Sequence, residues 1–237
     1  MLVLHVLLLN FQGNIKPKFE TLKNVTLVSD IKPYEKIKIR CLNGGHSALG
    51  YAGFLAGFPT IDETANDETF EKYLRLYFKE VSVTLDAVEG IELPQYQDDL
   101  VERFSNMQVK DDVLRICKDG SSKIPGFVLP TVTEALEKGE SSTCLSFVIA
   151  SWINFIEKQK LAGAGLDDGE ETALFDLVEK MSAANNDVRV FLGERRLFGD
   201  LCDSEVFVTQ VQLWHSRIAA DGVMDAMNKL LAESSSE

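Results

Sequence analysis

The chain has 237 residues, 45% of them hydrophobic, enough to bury a full core and fitting one large domain or a domain with a piece of another. Its 24 Lys and Arg stand against 37 Asp and Glu, and a net charge of -13 opposes phosphate backbones and anionic lipid headgroups. Neither nucleic acid nor membrane is expected as a partner.

Residues 1–10 are apolar but too short to span a bilayer, and they lack the basic start of a secretory signal, so they read as a buried strand. Residues 11–23 are polar and contain Pro and Gly, as a connector would. Val25-Thr26-Leu27-Val28 then reads as a second short strand. From there the pattern is helical. Pro33 sits where a helix can start, and apolar spacing continues to Leu55 before Gly57 and Pro59 stop it. Amphipathic segments follow at 67–88, 94–106, 111–118, 127–138, 144–158, 170–184, 203–218 and 222–232. Strands and helices do not alternate after residue 30, which argues against a parallel sheet there and for a mainly α-helical domain with a short N-terminal strand remnant.

The four cysteines, Cys41, Cys117, Cys144 and Cys202, are far apart and lie in apolar helical patterns, which points to a reducing compartment without disulfides. Only His5, His46 and His215 are present, none in a metal-ligand spacing, so chemistry without a metal is expected. The run Leu161 to Glu170 is rich in glycine but follows no strand, and its acidic residues would repel a pyrophosphate; it reads as a loop. No other stretch offers a dinucleotide a strand-turn-helix.

One short segment gathers a lysine, an asparagine and a histidine. Asn43 and His46 share a helical face, whereas Lys38 lies eight residues, or roughly 12 Å of rise, before His46. An unbroken helix would not focus the three, and Gly44-Gly45 offers a place for a kink or local unwinding. Converged, they suit oxidation of a secondary alcohol or reduction of a ketone by hydride transfer. Lys38, its pKa lowered by desolvation, would accept the hydroxyl proton; Asn43 would donate to the developing alkoxide; His46 would orient the hydroxyl or share the proton.

The stretch Pro33-Tyr34-Glu35-Lys36-Ile37-Lys38-Ile39-Arg40-Cys41-Leu42-Asn43-Gly44-Gly45-His46-Ser47 resembles the signature of the mannitol 2-dehydrogenase family, the polyol-specific long-chain dehydrogenases and reductases. The block Glu102-Arg103-Phe104-Ser105-Asn106, and Leu114 to Pro125 after it, resembles the same family, with Met107 where relatives commonly carry proline. The resemblance implies that residues 31–237 form the helical catalytic and substrate domain. Residues 1–30 would be a remnant of, or linker from, an N-terminal Rossmann domain that is otherwise missing. It implies a general base at Lys38, an oxyanion-type donor at Asn43, a substrate contact at His46, and polyol binding by Arg115 and Lys123. The implied reaction interconverts D-mannitol and D-fructose with NAD, NADP being the other dinucleotide open to it, in a cytoplasmic and often monomeric enzyme. Within the family the alternative is a fructuronate or tagaturonate reductase; outside enzymes, it is a truncated, non-catalytic fragment.

Overall fold

The computed structural model describes residues 5–8, 25–28 and 30–234. Strands β1 (His5–Leu8) and β2 (Val25–Val28) pair in parallel, His5 opposite Val25. The expected connector at 11–23 lies outside the described residues.

Beyond them the described chain is helices joined by loops and turns. Helix α1 (Lys32–Ile37) has Pro33 in its first turn and runs without interruption into a π-helical segment, π1 (Lys38–Asn43), and then α2 (Gly44–Ala56). Helices α3 (Ile61–Ala65), α4 (Glu68–Ser82), α5 (Leu93–Phe104), α6 (Val113–Cys117) and α7 (Gly120–Lys123) follow. A second π segment, π2 (Ile124–Val128), leads into α8 (Leu129–Glu137). The chain is completed by α9 (Thr143–Leu161), α10 (Glu171–Ala183), α11 (Arg189–Leu192), α12 (Arg195–Phe198), α13 (Glu205–Asp221) and α14 (Val223–Ser234).

Local chemistry sets most of these boundaries. Asp67 caps α4 through the amides of Thr69 and Phe70, at 2.9 and 3.1 Å, and Asp112 caps α6 through that of Arg115. The predicted helix 67–88 stops at Ser82 instead, because Thr84 turns the chain, its hydroxyl donating to the Val81 carbonyl at 2.6 Å. Helix α9 is buried on all sides, as an apolar helix at the centre of a bundle should be, and it packs against α2 and α13. Its first turn is satisfied by Glu80 of α4, whose carboxylate accepts from the amides of Cys144 and Leu145 at 2.9 and 3.0 Å. Trp152 meets Phe191, and Phe147 meets Trp214, in edge-on contacts that tie α9 to α11 and α13.

Cys41, Cys117 and Cys144 are buried and all four cysteines are free thiols. Among the described residues no helix is long and apolar enough to cross a membrane, and no group of three or more His, Cys, Asp and Glu is placed to hold a metal ion.

Candidate active site

The site is built where π1 meets α2. Of the kink or local unwinding expected at the glycine pair, the structure has unwinding, placed just before it: Gly44 is helical, at φ -67° and ψ -37°, and the underwinding lies across Lys38–Asn43. An α-helix would splay residues five apart by about 140°. A π turn, closing i to i+5 hydrogen bonds, stacks them about one turn above each other, so Lys38 and Asn43 come onto neighbouring faces. The two π segments also pack against one another, and such segments are enriched at functional sites.

Lys38 is exposed, and its amine makes no hydrogen bond or ion pair with the described residues. The described residues therefore do not supply the burial that the sequence reading asks of it. Its cationic neighbours, by contrast, are committed. Lys36 and Arg40 both reach Glu134 of α8, at 3.0 and 2.7 Å, and Lys138 joins them at 3.2 Å. Partial burial works to raise the Glu134 carboxyl, but these three cations outweigh it and hold it at about 2. The Asn43 carboxamide is half-buried and likewise spends no hydrogen bond on the described residues.

His46 lies against the Phe104 ring, centroids 4.6 Å apart and planes at 59°. Burial lowers its pKa to about 4; Asp111 opposes that shift, and Arg103, Arg115 and Lys123 add to it. The imidazole is neutral at pH 7, able to donate or accept a hydrogen bond but carrying no charge. Because the unfolded histidine titrates near its ordinary 6.5, the folded state should lose stability as pH falls from about 6.5 towards about 4. Denaturant unfolding measured across that window should show a flatter slope for His46→Gln; an identical slope would disprove the shift.

Arg115 of α6 and Lys123 of α7 lie close enough for their charges to help lower the His46 pKa. The Arg115 fork is bidentate to Asp111, Nε donating to Oδ1 at 2.6 Å and Nη2 to Oδ2. Lys123 is half-buried and donates to the Ile116 carbonyl at 3.1 Å, and burial lowers its pKa. The loop 161–170 is irregular, as expected. Its Asp168 accepts from the amide and hydroxyl of Ser121, at 2.8 and 2.5 Å, so this acidic stretch fixes α7 and carries no phosphate cradle.

Sequence reasoning thus named Lys38, Asn43, His46, Arg115 and Lys123 but missed Phe104 and Asp111 as partners. The Asp111–Arg115 spacing of four was a legible signal; the Phe104–His46 contact, across 58 positions, was not. A cleft of about 680 Å³ opens beside π2, lined by Pro125, Leu129, Phe198 and Arg195 among others. None of the five named residues lines it, and its Arg195 is already paired with Asp200 and Asp203.

Residues 30–219 match the family model described as the mannitol dehydrogenase C-terminal domain. The chain is similar to mannitol 2-dehydrogenase of Emericella nidulans, 36% identical over 90% of this chain and 43% of the relative. It is also similar to mannitol dehydrogenase 2 of Saccharomyces cerevisiae, 34% identical over 91% and 43%. Among solved structures, the ternary complex of Pseudomonas fluorescens mannitol 2-dehydrogenase with NAD and D-mannitol superimposes with a TM-score of 0.83. That match is 31% identical and covers 92% of this chain and 44% of that one. A D-sorbitol dehydrogenase in substrate-free form gives 0.76, at 30% identity and coverages of 90% and 44%. The chain spans less than half the length of each of these relatives.

Proposed function

Because the chain belongs to the mannitol dehydrogenase C-terminal domain family, we propose that it supplies the proton-handling and polyol-binding half of a mannitol 2-dehydrogenase acting with NAD. The reading rests on one observation above others. Lys38 and Asn43 are stacked by a π turn beside His46, and all three polar groups are uncommitted among the described residues.

In the direction of oxidation, the Lys38 amine takes the proton from the C2 hydroxyl of D-mannitol as the C2 hydride departs and the carbonyl of D-fructose forms. Asn43 donates to the oxygen while it carries negative charge, and neutral His46 fixes the hydroxyl's direction. Arg115 and Lys123 bind the remaining hydroxyls, each with N–H donors left after its internal bond. The dinucleotide, when bound, supplies the hydride acceptor. The loop 161–170 does not form its site, since Asp168 occupies the backbone amides of Ser121 and Glu170 that a pyrophosphate would need. NAD as the cofactor is supported by the Pseudomonas fluorescens enzyme, a complex with NAD and D-mannitol; its site, and with it the choice against NADP, is assigned to the other half of the enzyme. The exposed Lys38 then faces the side that this other half covers. The buried free thiols support a cytoplasmic enzyme.

A fructuronate or tagaturonate reductase would need a cation free to clamp the substrate carboxylate. Arg115 already spends its fork on Asp111, which leaves Lys123 as the one named pocket cation without a carboxylate partner and no guanidinium fork free for that clamp. The test is NADH oxidation with fructose, by this chain alone and by this chain joined to the dinucleotide-binding half of the Emericella nidulans enzyme. Turnover in the joined form, faster with fructose than with fructuronate or tagaturonate, is expected. A joined form that folds and binds NADH but leaves fructose untouched would overturn the reading.

The substrate side has its own check. Gly120 begins α7, and a Cβ there would overlap the Trp152 indole nitrogen and come within 2.9 Å of the Tyr51 hydroxyl. Trp152 is buried in the core and cannot yield, so Gly120→Ala should push α7, and with it Lys123, outward. The expected cost is about 1–3 kcal/mol of stability, with a raised KM for fructose and a smaller change in kcat. An unchanged KM would remove Lys123 from the pocket.

A further inference from the structure

The π turn needs something to hold it, because one carbonyl is passed over. In an α-helix the Gly44 amide would donate to the Arg40 carbonyl, four residues back. Here it donates instead to the carbonyls of Ile39 and Cys41. The Arg40 carbonyl takes its hydrogen bond from outside the helix: the Tyr77 hydroxyl of α4 donates to it at 2.7 Å. Tyr77 is fully buried, so without that donor the carbonyl would be stranded away from water. Two further contacts fit the arrangement. A Cβ at Gly44 would overlap the Tyr77 hydroxyl, so glycine is what lets the phenol in. The Arg40 side chain is pinned as well, Nη1 donating to the Thr84 carbonyl at 3.2 Å and pairing with Glu134.

From this geometry we infer that Tyr77 is a positioning residue for catalysis, its hydroxyl standing in for the Gly44 amide at the Arg40 carbonyl and so holding the π turn that stacks Lys38 with Asn43. The inference rests on the proposed roles of Lys38 and Asn43. Losing the hydroxyl favours return of the Gly44 amide to Arg40, a change from i+5 to i+4 bonding that swings Lys38 about the helix axis away from Asn43.

The experiment is Tyr77→Phe, which keeps the ring and removes the donor. In the 237-residue chain, NMR correlation across hydrogen bonds should connect the Gly44 amide to the Ile39 carbonyl in the parent and to the Arg40 carbonyl in the variant. A Gly44–Ile39 bond that survives in Tyr77→Phe overturns the inference. In the joined enzyme kcat should fall by about 100-fold with KM little changed, and the pH profile of kcat should move, neither of which a loss of core packing would produce. Unchanged kcat in Tyr77→Phe, beside an inactive Lys38→Ala, would overturn it too. An active Lys38→Ala would count against the proposed function alone, since the NMR arm reads the π turn without turnover. Should Tyr77→Phe fail to fold, Gly44→Ala drives a methyl group into the same hydroxyl, and the same switch of the helical bond, with the same loss of kcat, is expected; an intact π turn there overturns the inference.

Discussion

Lys38→Ala is expected to lower kcat by about 10²–10⁴-fold in the joined enzyme while leaving dinucleotide affinity and thermal stability near those of the parent. The amine is exposed and holds no described partner, so its removal strands no buried group, and the cost to folding should stay within about 0.5 kcal/mol. Lys36 or Arg40 cannot replace it, because both are engaged with Glu134. Lys38→Arg separates base from charge: it keeps the cation, yet a guanidinium cannot give up and retake a proton in this range, and it should be as inactive as alanine. Partial recovery of Lys38→Ala by small primary amines added to the assay would support direct proton transfer. Steady-state kinetics decide the matter, and near-normal turnover in either variant would sink the assignment of the base.

The helical architecture was legible because its punctuation is local. Asp67 and Asp112 cap where they stand, Pro33 opens α1, and Gly57 closes α2 in the left-handed conformation at φ 88°. Overrun at 67–88 has an equally local cause, since Val83, Leu85 and Val88 prolong an apolar pattern past a turn made by Thr84. The π segments could not be read in this way. In π1 the passed-over Arg40 carbonyl takes its bond from a tyrosine hydroxyl 37 positions away, and nothing in the spacing of residues 38–46 announces it. Gly44-Gly45 did mark the place of the unwinding, which lies just before the pair, and the two glycines allow close approach of Tyr77 and Phe104. The neutral state of His46 is likewise tertiary, a product of burial and of charges that arrive from α5, α6 and α7.

Asn43 provides the second large expected effect and a sharper chemical question. Asn43→Ala removes one donor to a developing oxyanion and should lower kcat by about 10²–10³-fold, with little change in melting temperature because the carboxamide holds no described bond. Asn43→Asp has nearly the same shape but, once ionised, accepts without donating and sets a negative charge against the alkoxide. It should therefore be the slower of the two, and the difference should narrow as the assay pH falls through the carboxylate range. A residue that merely filled space would give the opposite order, with aspartate the milder change. Combining Asn43→Ala with Lys38→Ala takes the argument a step further. Stabilising the alkoxide is useful only if a base removes the proton, so the double variant should lose less than the product of the two single losses. Independent, multiplying losses would mean that the π turn brings the two groups near each other without making them act on the same oxygen.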